Sequence, residues 1–262
     1  MPTLATQKDF RAVQTLPFCY VCGREFEDGD NINRDHLPPQ NTFAKRDRIP
    51  ALWLPTHYDC NAAYKLLDEK IGQLISLKRY YQPSSPRHRR LRFSLFPRQG
   101  LGAVINVDVD GAIWRWIRGF HAALYRRYMP ETQMRALVTP LPRARNSAFG
   151  PVFDPLLPQH RVAVELIKTN RAKRNLDSIK SNNSKFTYEC VWQQSDDKRA
   201  WACFFAMDIY QWKDLGGTGV QPSRGCAGLY ILPSGQIPAA ATQGTSTAIL
   251  APNLDPLDPF GL

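Results

Sequence analysis

The chain has 262 residues, 43% of them hydrophobic and 22% charged, which excludes a disordered or low-complexity polymer and suffices for one large domain or two small ones. No apolar run approaches the roughly 20 residues of a membrane span, and MPTLATQKDFRAVQTLPF lacks the apolar core of a secretory signal, so a cytoplasmic protein with no membrane association is expected. The net charge of +11 gathers between residues 81 and 187, which points either to a polyanionic partner, nucleic acid first, or to a solvated basic surface.

Residues 1–15 read as a lead-in or a short helix. Residues 16–81 are dense in Cys, His, Asp and Asn and form the first module. Within it, Cys19-x-x-Cys22 and His57-x-x-Cys60 are two pairs at metal-ligand spacing. Two intervening residues let both side chains reach one ion from a tight turn, and Gly23 suits that turn. Four S and N ligands close a tetrahedral Zn2+ site, which predicts a structural ion rather than a catalytic one. The chain has six cysteines, but without a signal peptide a reducing compartment is expected, where a close pair binds metal rather than forming a disulfide.

Apolar residues Leu66, Leu67, Ile71, Leu74, Ile75 and Leu77 recur at helical spacing and predict a helix over 61–81. Gln82–Arg92 reads as a linker ahead of an accessory domain spanning 82–240. A helix is expected over 101–129, with Trp114, Ile117, Phe120, His121 and Leu124 on its apolar face and Arg115, Arg118, Arg126 and Arg127 on the rest. Residues 130–160 read as irregular, 161–169 as a strand or short helix, and 170–185 as a polar, basic loop. Phe186–Gln193 and Ala200–Trp212 alternate as an antiparallel hairpin turning at Ser195–Lys198. Residues 241–262 read as a disordered tail. Cys190 and Cys203 are expected in the core, as is His121, with His88 solvated.

Between the two ligand pairs lies Asp35-His36-Leu37-Pro38-Pro39, and Asn61 follows the second. Hydrolysis of a phosphodiester needs a base to activate water and a hard cation to neutralise developing charge. A neutral imidazole suits the first role. A carboxylate and an amide oxygen suit Mg2+, which prefers oxygen ligands.

The ordered set CYVC at 19–22, DHLPP at 35–39 and HYDCN at 57–61 resembles the HNH endonucleases of the ββα-metal fold, over roughly residues 16–70. The resemblance implies that His36 is the general base and that Asp35 and Asn61 hold one catalytic Mg2+ or Mn2+, with DNA as substrate. It implies an α+β chain, in which an N-terminal zinc-stapled ββα-metal module precedes a mixed α/β accessory region. Two positions depart from the family. Leu52 stands where a middle Asn is usual, a role Asn41 is a candidate to fill. Asn61 stands where His is frequent. Asp68 and Glu69, two helical turns beyond Asn61, read either as cation or supporting ligands or as a solvated face with Lys65 pairing Glu69.

In the accessory region, Arg87, Arg89, Arg90 and Arg92, with Lys168, Arg171, Lys173 and Arg174, are candidates for sequence-independent phosphate contacts. Tyr80 and Tyr81 are candidates for base stacking or for the core. Two other functions fit the same residues. One is a zinc-stabilised nucleic-acid-binding module without catalysis, which Leu52 and Asn61 favour. The other is a zinc-stapled protein-interaction scaffold.

Overall fold

A computed structural model describes residues 1–80, 93–96, 101–104, 107–130, 135–138, 158–194, 200–210 and 226–244. The fold is mixed α/β and divides into two compact units. One comprises Thr6–Met129 with Ser181–Asn183, the other Met1–Ala5, Pro130–Lys180 and Ser184–Leu262. Among the described residues no helix is long and apolar enough to cross a membrane.

The first unit opens with α1 (Gln7–Val13), which a capping box starts: the Thr6 hydroxyl accepts from the Asp9 amide (3.2 Å) and the Asp9 carboxylate from the Thr6 amide (2.8 Å). The helix buries Phe10 and Val13. An antiparallel hairpin follows, β2 (Ile32–His36) with β3 (Trp53–His57), in a register that pairs Ile32 with His57, Asp35 with Leu54 and His36 with Trp53. The chain then enters α2 (Tyr58–Ala62) and α3 (Lys65–Tyr80). The single helix expected over 61–81 is therefore two. A tighter turn, in which the Tyr64 amide donates to the Asn61 carbonyl (3.1 Å), interrupts it at Ala63–Tyr64.

β4 (Phe93–Phe96) and β5 (Leu101–Val104) pair antiparallel, so the start of the expected 101–129 helix is a strand. Its partner β4 lies just upstream, between it and the expected linker, and helical periodicity does not show such a pairing. The helix itself, α4 (Val109–Tyr125), begins at Asp108, whose carboxylate accepts from the Gly111 amide (2.9 Å), and ends at Arg126 with φ 54°. Trp114, Ile117, Phe120, His121 and Leu124 are buried as expected. Arg115 is buried too, at 3% exposure, which corrects its placement on the polar face.

The second unit is a six-stranded sheet in the order β1 (Thr3–Leu4), β7 (Asp177–Ser181), β8 (Phe186–Gln194), β9 (Ala200–Ile209), β10 (Cys226–Pro233), β6 (Arg135–Val138). β8 and β9 form the expected hairpin, whose turn at 195–199 lies outside the described residues. α5 (Pro158–Ala172) covers one face, placing Ala163, Leu166 and Ile167 among Val191, Phe204, Leu229 and Ile231. On the other face Tyr188 stacks on Phe205 (6.0 Å) and Trp192 meets Tyr230 edge-on (5.4 Å), with Cys190 and Cys203 buried there as expected.

Further sequence readings are corrected in the second unit, where β6 is a strand within the stretch 130–160 expected to be irregular. Residues 170–185 are not a loop: α5 runs to Ala172, and β7 buries Asp177, Ile179 and Ser181 in alternation. Asn182 and Asn183 turn the chain into β8 with φ near +55°, a region Asn tolerates. β10 is an added strand. The supposed tail begins as ordered structure, since the Thr242 amide donates to Asp177 (2.9 Å) and Gln243 bridges Trp192. Residues 245–262 lie outside the described residues.

Candidate metal centre and active-site pocket

Cys19, Cys22, His57 and Cys60 converge, and their ligand atoms lie within 4.8 Å of one another. A short antiparallel bridge between Phe18 and Glu25 closes the Cys19–Cys22 turn. Within it the Gly23 amide donates to the Cys19 carbonyl (2.8 Å) and the Cys19 amide to the Arg24 carbonyl (2.9 Å). Gly23 has φ +80°, and a Cβ there would lie 2.8 Å from the Tyr128 ring, so the turn requires glycine. His57 ends β3 and Cys60 sits one turn into α2, which delivers the second pair to the same point.

The donor chemistry fits a tetrahedral metal ion. His57 Nδ1 faces Cys22 Sγ at 3.3 Å, while Nε2 lies 3.2 Å from Asp30 Oδ2. A carboxylate on the far ring nitrogen is the usual support of a metal-bound histidine. The sulfurs respond to their crowding. Burial and the neighbouring Cys19 and Cys22 push the Cys60 thiol up to about 12. Burial also works against the Cys22 thiolate, but hydrogen bonds from Arg24, Cys19 and His57 outweigh it and bring it to about 6. A bound cation would hold the three clustered sulfurs ionised.

Beside this cluster an open pocket of about 510 Å³ is lined by Asp35, His36, Asn41, Asn61, Lys65, Asp68 and Glu69, among others. β2 supplies Asp35 and His36, α2 supplies Asn61, and α3 supplies Lys65, Asp68 and Glu69. His36 is half-buried. Burial lowers its pKa below the ordinary imidazole value, the Asp35 carboxylate pulling the other way, so the ring is neutral at pH 7. The Asn61 Nδ2 donates to the Arg34 carbonyl (3.3 Å), which leaves its amide oxygen for the pocket.

Asp35 is 3% exposed and does not stand alone. The Tyr20 hydroxyl donates to its Oδ2, and so does Arg115 Nη1 (3.2 Å). Arg115 Nη2 donates to Asp68 Oδ1 (2.5 Å). Burial raises the pKa of both carboxylates, with Arg115 opposing, and takes Asp68 to about 6. Asp68 is therefore no solvated helix position. The loop after His36 is tied to α3 by Asn41, whose Nδ2 donates to the Asp68 carbonyl (2.9 Å) and whose side chain lies on Gly72, where a Cβ would come 2.6 Å from Asn41 Cγ. Leu52 is fully buried, and its carbonyl accepts from the Leu37 amide (3.0 Å).

No protein-family model, curated protein or solved structure matches this chain.

The other expected contacts divide. Arg87, Arg89, Arg90, Arg92 and Tyr81 lie outside the described residues. Lys168 pairs with Glu165 (2.5 Å), and Arg171 grips Glu189 through Nε (3.0 Å) and Nη2, so both are engaged within their own unit. Lys173 and Arg174 are exposed at the end of α5. Local sequence does not single out Tyr20 or Arg115 for the site. One signal is present for Arg115: an arginine between two tryptophans, Trp114 and Trp116, on an apolar helix needs an acidic partner wherever it is buried.

Proposed function

We propose that the first unit is an HNH-type endonuclease that hydrolyses DNA phosphodiester bonds, and that Cys19, Cys22, His57 and Cys60 hold a structural Zn2+. The observation that carries this reading is the convergence of Asp35, His36 and Asn61 on one pocket beside the cysteine–histidine cluster. The hairpin β2–β3 followed by α2 is the order a ββα-metal element would have. Four protein ligands leave zinc no open position, which makes its role structural.

In the pocket, His36 is the general base and takes the proton of an attacking water. Asp35 and the Asn61 amide oxygen are the donors for one Mg2+ or Mn2+, which when bound neutralises charge on the phosphorane and the departing oxygen. Asn41 anchors the loop that follows His36, the role the middle Asn performs in the resembled family, so Leu52 is free to be a core residue. Arg34 and Lys65, both exposed at the rim, meet the flanking phosphates.

The test is nicking of supercoiled plasmid by the purified chain with Mg2+ or Mn2+, beside His36→Ala. Cleavage that needs the cation and is lost in the variant is the expected result. Cleavage at an undiminished rate in the variant overturns the assignment of the base. A second reading, a nucleic-acid-binding module without catalysis, is favoured by the engagement of Asp35 Oδ2 with Tyr20 and Arg115. Under it neither protein nicks DNA, and both bind it at moderate salt. A scaffold for protein partners would not bind at all.

A further inference from the structure

Asp35 is held from a distance. Arg115, in the middle of α4 and 80 residues downstream, reaches it with Nη1 and reaches Asp68 of α3 with Nη2. The guanidinium lies over the Tyr64 ring, 4.7 Å from its centroid, and its side chain is 2% exposed. A single planar cation thus joins β2, α3 and the turn between α2 and α3. The contact with Asp35 falls on Oδ2, the oxygen that also takes the Tyr20 hydroxyl. A carboxylate with one oxygen engaged twice cannot rotate freely, so the direction of its second oxygen is fixed, and Asp35 is among the residues that line the pocket. Asp68 accepts from the other arm of the same guanidinium on Oδ1 and lines the same pocket.

We propose that Arg115 is a positioning residue that presets Asp35 and Asp68 as a pair of oxygen donors for the pocket's divalent cation, which makes α4 part of the catalytic unit. The proposal rests on the nuclease reading. Such positioning needs a fork, because the guanidinium spans two carboxylates with fixed geometry, whereas an ammonium is a point charge that holds one at a time. Lysine at this position therefore separates positioning from charge.

The experiment measures Mn2+ binding to the full chain without DNA, by electron paramagnetic resonance of free Mn2+, together with plasmid cleavage. It compares wild type, Arg115→Lys, Asp35→Asn and the double variant, with zinc content and thermal unfolding as controls of folding. Arg115→Lys is expected to keep its zinc and bind Mn2+ about tenfold more weakly, the size of effect typical of groups that orient metal ligands. Its kcat should fall while the KM for DNA holds. In the Asp35→Asn background the same substitution should change Mn2+ affinity little, because the group it acts through is gone. Wild-type Mn2+ affinity in Arg115→Lys, with loss in Asp35→Asn, would leave Arg115 a structural ion pair and overturn the proposal. Mn2+ binding by wild type that ignores Asp35→Asn would bring down the nuclease reading and this inference with it. If Arg115→Lys fails to fold, Asp68→Asn replaces it: weaker Mn2+ binding supports the paired donors, and unchanged binding overturns them.

Discussion

Gly119, in the middle of α4, lies so close to Leu37 that a Cβ on it would come 2.1 Å from Leu37 Cδ1 and 3.2 Å from the Tyr20 ring. Leu37 directly follows the proposed base, and Tyr20 bonds the proposed metal ligand Asp35. A missing side chain on α4 thus lets the loop that begins at Leu37 pack directly against the helix. Gly119→Ala should gain up to about 1 kcal/mol of helix propensity. It should lose about 1–3 kcal/mol to overpacking, which has to displace Leu37. The expected outcome is a lower Tm and slower cleavage at full zinc content. A Tm equal to or above wild type would show that the loop gives way freely.

Asp30→Asn should weaken metal binding at the cysteine–histidine cluster about 10–100-fold, because Asp30 takes the far ring nitrogen of His57 and fixes its orientation. Competition with a chromophoric chelator reads this directly. An unchanged affinity would reduce the 3.2 Å contact to a surface pair.

Stability should depend on pH through His121. Burial first, and the charge of Arg127 second, lower its pKa from 6.5 to about 3. A depressed histidine pKa contributes stability that is complete above the unfolded value of 6.5 and is lost as pH falls towards 3. Asp68 works in the opposite sense: its raised pKa of about 6 makes the folded state bind its proton more tightly, so stability rises as pH falls through that value. Comparison with His121→Gln isolates the histidine. The wild type should lose Tm relative to the variant between pH 6.5 and about 5, within the window the lowered pKa opens, and parallel curves would rule out the buried neutral ring.

Arg171 should matter for stability and not for nucleic acid. Its guanidinium is committed to Glu189 within the second unit. Arg171→Ala is expected to cost about 1 kcal/mol and to leave the slope of log affinity against log salt unchanged. Arg174→Ala, at an exposed position, should reduce that slope by about 1 if it meets a phosphate. A reduced slope in Arg171→Ala would mean that the pair with Glu189 opens on binding.

The metal cluster is legible in the sequence because its information is local. Cys19 with Cys22, and His57 with Cys60, each lie within one turn of chain, and Gly23 marks the turn after the first pair. His36 and Asn61 are singled out by their order, His36 between the two pairs and Asn61 directly after the second, and their roles are what the resemblance implies. The β8–β9 hairpin and the apolar stripe of α4 show themselves by period.

What stays hidden depends on tertiary neighbours. β7 is short and polar, and it is a strand because β8 pairs with it on one side, β1 on the other, and the distant Thr242 satisfies Asp177. β5 is a strand through its pairing with β4. Arg115 has the local pattern of a surface residue, but the fold buries it, where a guanidinium must find carboxylates; it finds Asp35 and Asp68, 80 and 47 positions away. Residue types and short spacings specify which groups are available for chemistry. Their burial, their pairing and the direction in which they point arise only when distant segments pack, because desolvation and hydrogen-bond geometry are properties of the packed neighbourhood.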